Sequence, residues 1–141
     1  MCSSDLTNAP SYAQVAVSGK NDHVWAAQTD SDVRTLQRAG STSRLAACWY
    51  SGGSFDIDVN VTDQASHKLT LYLLDWDAIN RVTRIDVLDG STGQVLSSQT
   101  VQAYQQGVYL SWNVQGHLIV RVTTVGGVNA VVSGVFFDPA N

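Results

Sequence analysis

Residues 55–61 read Phe-Asp-Ile-Asp-Val-Asn-Val, a strict alternation of apolar and polar side chains. Successive side chains of a β-strand point to opposite faces of a sheet. The stretch therefore predicts a strand with one face in a core and one face in water, which is typical of antiparallel sheets.

The same kind of pattern extends outward in both directions. Residues 13–17 and 108–114 alternate, residues 69–74 are apolar on both faces, and residues 84–88 and 94–101 flank the turn at 89–93. Roughly eight to ten short strands with frequent turns predict an all-β fold. We expect a two-sheet antiparallel β-sandwich of the jelly-roll kind. One short helix is predicted near residues 31–39, capped by Asp or Ser and stopped by Gly40.

Composition limits the size of the fold and the class of partner. The chain has 141 residues and a net charge of −4, and its eight Lys and Arg form no cluster. Phosphate binding needs clustered Lys and Arg, so nucleic acid is an unsuitable partner. No apolar run reaches the roughly 20 residues of a membrane span, so we expect no membrane insertion.

The chain is expected to divide into a short tail and one domain. Residues 1–10 read as a disordered or artefactual tail, because 2–6 resemble a translated sequencing adaptor. The frame would then be a metagenomic fragment without its natural N-terminus, and Cys2 would be foreign to it. Residues 11–139 are expected to form a single β-sandwich domain.

An ordered series of features resembles a known family. The features are the segment 32–38, the strand at 55–59, the segment 69–77, Arg81 followed by a strand at 85–87, and the closing strand at 131–137. The order is similar to malectin-like and galactose-binding-domain-like carbohydrate-binding modules, including sandwich domains attached to large secreted bacterial proteins. The resemblance implies a jelly roll that binds saccharides through loops, often with a structural calcium ion, in an extracellular or cell-surface protein.

Aromatic residues near predicted strand ends are the first candidates for ligand binding. The candidates are Trp49, Tyr50, Trp76 and Tyr104. Such rings can stack on sugar rings, and the alternative is that they pack in the core with their polar tips at its rim.

Charged residues in the loop after the predicted central strand complete the candidate site. These are Asp75, Asp77 and Arg81. The two carboxylates could ligate calcium, serve glycoside hydrolysis or pair with Arg81. The three His residues have no metal spacing, and the chain has neither a nucleophile elbow nor a phosphate-binding loop, so we do not expect an enzyme.

Two functions remain open at this point. The first is a non-catalytic carbohydrate-binding module of a secreted multidomain protein, with a polysaccharide or oligosaccharide as partner. The second is a structural or adhesive extracellular domain, a spacer or an assembly subunit, without a ligand site. Rings exposed together on one rim would favour the first, and a long apolar edge strand would favour the second.

Overall fold

The computed structural model describes residues 9–26, 32, 34–37 and 44–140. These residues form twelve β-strands. They are β1 Ala13–Ser18, β2 Asn21–Ala26, β3 Leu36–Gln37, β4 Arg44–Ser51, β5 Ser54–Val61, β6 His67–Leu73, β7 Val82–Asp89, β8 Val95–Gln102, β9 Val108–Val114, β10 His117–Gly126, β11 Ala130–Val132 and β12 Gly134–Pro139.

One layer of the fold is a five-stranded antiparallel sheet in the order β1-β5-β10-β7-β8. Strand β5 contains the alternating residues 55–61. Its residue Ile57 is opposite Val17 on β1 and Val120 on β10, so three apolar side chains share the inner face. The predicted hairpin is also present, because β7 pairs with β8.

The second layer consists of two smaller antiparallel sheets, β11-β4-β2 and β12-β6-β9. Strands β11 and β12 are separated only by Ser133, so one stretch of chain borders β4 and then β6. The backbone N–H of Ser133 donates to the Tyr72 carbonyl at 2.8 Å, which joins the two small sheets along their edges. Strand β6 is central in its sheet, as its apolar sequence predicts.

The core lies between these layers. Its largest fully buried side chains include Trp49, Phe55, Ile57, Leu69, Leu71, Leu73 and Ile85, together with several Val. All four inward positions of β5 are at most 2 % exposed, which confirms the strand and the face predicted from its alternation. The all-β antiparallel sandwich is therefore confirmed.

The helix predicted near residues 31–39 does not occur in the described part of that segment. The Thr35 N–H and hydroxyl both donate to the carbonyl of Asp32, at 3.2 and 2.7 Å, which makes a turn. Leu36 and Gln37 then pair with Leu45 and Arg44 as strand β3. Asp and Thr compete with helical hydrogen bonding by binding nearby backbone groups, and here this local turn and an available strand edge prevail. The rest of the predicted helix, and residues 1–8 of the predicted tail, lie outside the described residues.

Candidate functional site

A pocket of about 270 Å³ lies where two loops fold over the β11-β4-β2 sheet. Strands β2 and β4 contribute one wall, the loop at 74–81 contributes the second, and the loop at 127–129 with strand β11 contributes the third. The lining residues are His23, Trp25, Cys48, Tyr50, Asp77, Ile79, Arg81, Val128, Asn129 and Val131.

Strand pairing places the aromatic wall of the pocket. His23 is opposite Cys48, and Tyr50 is opposite Val131, so these four side chains share one face of the sheet. Trp25, two residues after His23 and inside a bulge between Val24 and Ala26, also lines this wall. The His23 ring is nearly perpendicular to both neighbours, with centroids 5.9 Å from Trp25 and 6.3 Å from Tyr50. The wall thus presents rings in two orientations to one small space.

Trp25 is also one of two neighbouring rings that lie between two arginine side chains. Its ring lies nearly parallel to that of Trp76, with centroids 6.5 Å apart. The Arg34 guanidinium is 4.4 Å from the Trp76 centroid, and that of Arg81 is 5.6 Å from the Trp25 centroid. Cation–π contacts of this kind contribute roughly 0.5–1 kcal/mol each at exposed sites. Trp76 does not line the pocket. Its ring packs against the ring of Trp25, which does.

The Asp75 carboxylate organises the loop at 74–81. Asp75 is only 2 % exposed, and it accepts hydrogen bonds from the backbone N–H groups of Ile79 (3.3 Å) and Arg81 (3.2 Å). It also accepts one from Arg81 Nη1 at 2.6 Å. These bonds hold a loop in which Ala78 and Asn80 have φ values of 52° and 60°. Asp75 therefore holds the backbone of this loop in place from the protein interior, and its side chain does not line the pocket.

Arg81 connects the two loops that enclose the pocket. Its Nη1 donates to Asp77 as well as to Asp75, and its Nε donates to Asn129 Oδ1 at 2.7 Å. The loops also touch through their backbones, because a Cβ at Gly127 would stand 3.1 Å from the Arg81 Cα. Gly127 has a φ of 79°, which favours glycine for a second reason.

Asp77 is the exposed charge of the site. Burial alone would raise its pKa, but the hydrogen bond and positive charge of Arg81 outweigh that effect and leave the pKa below its ordinary value. Its Oδ1 accepts from Arg81 Nη1 at 2.5 Å, and the backbone N–H of Asp77 itself also lowers the pKa of the carboxyl. The Asp77 side chain is 43 % exposed, so a ligand in the pocket can reach the carboxylate.

Two of the aromatic residues predicted as contacts are inside the core. Trp49 is fully buried on the face of β4 opposite the pocket, and Tyr104 is 2 % exposed. The Tyr104 hydroxyl bonds Thr83 at 2.8 Å, its carbonyl accepts from the Asp75 N–H, and burial raises its pKa to about 12. A ligand cannot reach either ring in this structure. Both rings therefore stabilise the fold around the site and do not contact a ligand.

The other predicted residues gather at the pocket. Tyr50, Asp77 and Arg81 line it, Trp76 stacks on its wall, and Asp75 holds its loop. The thiol of Cys48 forms part of the floor, where burial raises its pKa to about 12 and keeps it protonated.

His23, Trp25 and Asn129 line the pocket but were not predicted as site residues. The alternation of His23 and Trp25 along β2 was the signal that could have found these two residues. Asn129 follows the Gly126-Gly127 pair, where a tight loop returns to the sheet.

The carboxylates of Asp75 and Asp77 do not fit the calcium ion that their place in one loop suggested. Oxygens of Asp75 and Asp77 lie 2.6 and 2.5 Å from Arg81 Nη1, so a guanidinium occupies the position that an ion would need. Across the described residues, no group of three or more His, Cys or Asp side chains could hold a metal. A calcium ion elsewhere in the protein stays a prediction.

A second pocket of about 260 Å³ lies between β8, β9 and β10. Trp112 is the only Trp or Tyr among its lining residues, and its Nε1 donates to Ser97 Oγ at 3.2 Å. The first pocket combines Trp and Tyr rings with Asp77, Arg81 and Asn129, so it is the candidate site.

Comparison with solved structures identifies the architecture. A family 61 carbohydrate-binding module, TmCBM61, solved with β-1,4-galactotriose, aligns with a TM-score of 0.50 and 12 % identity, over 92 % of this chain and 90 % of that one. The chain has the same fold as this carbohydrate-binding module. At this identity the likeness establishes the fold alone.

Two further carbohydrate-binding modules align over similar lengths. A family 35 module from Clostridium thermocellum has a TM-score of 0.45 and 18 % identity, over 91 % of this chain and 92 % of that one. The CBM22-1 xylan-binding domain of Paenibacillus barcinonensis Xyn10C has a TM-score of 0.43 and 14 % identity, over 92 % and 87 %. No protein-family model matches the chain, and no curated protein sequence matches it. The described residues contain no helix long enough and apolar enough to cross a membrane.

Proposed function

We propose that this protein is a non-catalytic carbohydrate-binding module that takes a saccharide in the pocket between β2, β4 and the loops at 74–81 and 127–129. The observation that carries the proposal is the meeting of Trp25 and Tyr50 with Asp77, Arg81 and Asn129 in one open pocket. Aromatic walls with a few convergent polar groups are the usual composition of small-molecule sites.

The chemistry of the pocket suits a sugar. The faces and edges of its rings offer apolar contact to C–H groups, while the Asp77 carboxylate and the Asn129 amide can exchange hydrogen bonds with hydroxyls. A volume of about 270 Å³ lies just below the roughly 300–1,000 Å³ of typical small-molecule pockets, so the pocket suits one sugar unit. A shallow contact of this size gives a Kd of about 0.1–1 mM, equivalent to a binding free energy of about −4 to −5.5 kcal/mol.

The fold supports the same proposal by analogy, because TmCBM61 binds β-1,4-galactotriose on the same architecture. β-1,4-Galactan is therefore the first probe. We further propose that the module works outside the cell and attached to other domains. Such a module would bring its parent protein to a polysaccharide.

The rival function, an assembly domain without a ligand site, has less support. Strand addition favours a long apolar edge. Strand β8, at one edge of the five-stranded sheet, exposes Val95 and Leu96, but the next four residues are Ser-Ser-Gln-Thr. The edge is thus polar over most of its length.

A glycan array tests the proposal, with the wild type compared with Tyr50→Ala and Tyr109→Ala. Tyr50 lines the pocket, whereas Tyr109 is 61 % exposed on β9 of the other small sheet. Tyr109→Ala therefore makes the same substitution outside the pocket. We expect wild type and Tyr109→Ala to bind the same saccharides, and Tyr50→Ala to lose them.

Binding that Tyr50→Ala retains would place the site elsewhere. An array without any bound saccharide, with the wild type folded, would leave the assembly domain as the better account.

A further inference from the structure

The charge of the candidate pocket is unbalanced. Three ionised side chains meet there, the guanidinium of Arg81 and the carboxylates of Asp75 and Asp77, one positive and two negative, so their sum is −1. Arg34 and Asp32, behind Trp76, form a pair of their own at 3.0 Å and cancel. The pocket therefore has an excess of negative charge.

That excess is located at Asp77. Asp75 is buried and its oxygens already accept from Arg81 and Ile79, so Arg81 and Asp75 neutralise each other inside the protein. Asp77 binds Arg81 through Oδ1, and its side chain, 43 % exposed, lines the pocket. An incoming carboxylate would meet this charge, and the Arg81 guanidinium is already held by Asp75, Asp77 and Asn129.

The rings of the pocket favour cations as well. Tyr50 is a ring to which an ammonium group is attracted, and the His23 ring stands nearly perpendicular to it. The Trp25 ring already contacts the Arg81 guanidinium and the Trp76 ring. Rings in two orientations beside one carboxylate are suited to hold a positively charged group next to an apolar sugar face.

We propose that the pocket prefers a saccharide with a protonated amino group over the corresponding neutral sugar, and the neutral sugar over the corresponding uronic acid. This preference rests on the proposed function, because it concerns the same pocket. The ligand class is an amino sugar, free or as part of a deacetylated polysaccharide.

Two matched series of sugars test the preference. The gluco series is glucose, glucosamine and glucuronic acid, and the galacto series is the three counterparts, each as monosaccharide and as β-1,4-linked tetramer. Titration calorimetry at pH 7 and about 0.02 M NaCl compares wild type, Asp77→Asn and Asp58→Asn. Asp58 is an exposed carboxylate on the outer face of the five-stranded sheet, so its variant changes the net charge equally without touching the pocket.

In at least one series, we expect the amino sugar to bind about two- to fivefold more tightly than the neutral sugar, the gain of one exposed charge pair. The gain should disappear in Asp77→Asn and persist in Asp58→Asn. It should also shrink in the wild type at about 0.5 M NaCl, because salt screens an exposed pair, and this arm does not depend on a variant.

The failures are distinguishable. If, in every series that binds, the neutral sugar binds as tightly as its amino counterpart or the uronic acid binds more tightly than the neutral sugar, the preference is overturned and the carbohydrate-binding function stays intact. The absence of binding by every sugar in both series would overturn the preference, and the absence of any bound saccharide on the array as well would also overturn the proposed function.

Discussion

Arg81 Nη1 lies 2.6 Å from Asp75 Oδ1, and both side chains are almost completely buried. This ion pair sits where the candidate site joins the fold, since Asp75 holds the backbone of one loop and Arg81 reaches Asn129 in the other. The position of each loop around the pocket therefore depends on the polar contacts of the other loop. Removal of Arg81 leaves the buried Asp75 carboxylate without its ion-pair partner.

We expect Arg81→Ala to lower the free energy of unfolding by about 3–5 kcal/mol, the cost of leaving one member of a buried pair unpaired. The matched control is Lys20→Ala, which removes an exposed pair with Asp22 and should cost less than about 1 kcal/mol. Urea denaturation measures both. Equal losses in the two variants would mean that the Arg81 network does not hold the loops.

We expect Gly127→Ala to be more destabilising than Gly93→Ala. Both glycines have a positive φ, 79° and 76°, which costs an alanine about 1–2 kcal/mol. A Cβ at Gly127 would also stand 3.1 Å from the Arg81 Cα and 3.3 Å from the Asn80 carbonyl, while a Cβ at Gly93 meets nothing. The difference in thermal midpoint between the variants measures this contact. Identical midpoints would show that the loops tolerate separation.

We expect Trp49→Phe to be tolerated far better than Trp49→Ala. The Trp49 Nε1 is buried without a hydrogen-bond partner in the described structure, so phenylalanine gives up volume but no hydrogen bond. Alanine leaves a large cavity and should cost about 3–5 kcal/mol. Urea unfolding of the two variants checks this. A phenylalanine variant as unstable as the alanine variant would imply an unseen bond from the indole.

Stability should fall as the solution is acidified below about pH 4, and Asp86 should contribute to the fall. Burial alone would raise the pKa of Asp86, but hydrogen bonds from Ser98 and Arg84 outweigh it and lower the pKa. A carboxyl whose folded pKa is depressed stabilises the fold above its unfolded value, about 3.9, and loses that contribution as the pH falls through the folded pKa. Asp86→Asn should therefore show a shallower decline between pH 5 and 2. Parallel curves for the variant and the wild type would contradict this.

Local pattern was sufficient to predict the strands. Residues 55–61 fixed both a strand and its buried face, and the apolar run at 69–74 predicted a central strand, because alternation and burial are direct consequences of the pleat. The segment 34–37 differed. Its capping residues are compatible with a turn as well as with a helix. The segment forms a strand because it pairs with β4, and the neighbouring residues alone cannot show that pairing.

The site was partly predictable for the same reason. A Trp-Tyr pair on a strand must point in opposite directions, so one of Trp49 and Tyr50 had to be buried, but only the sheet pairing shows which. Sequence order placed Asp75, Asp77 and Arg81 in one loop. It did not show that Asn129, 48 residues further along, joins them through Arg81.

The four tryptophans provide the most direct test of where a saccharide binds. We would record the indole N–H resonances of the ¹⁵N-labelled protein while adding a saccharide that binds on the array. Trp25 lines the pocket and Trp76 stacks on it, whereas Trp49 is buried on the other face of β4 and Trp112 lies at the second pocket. We predict that the Trp25 resonance shifts most, that Trp76 follows, and that Trp49 and Trp112 stay in place. A shift confined to Trp112, or saturation without movement of Trp25, would contradict the assignment of the site.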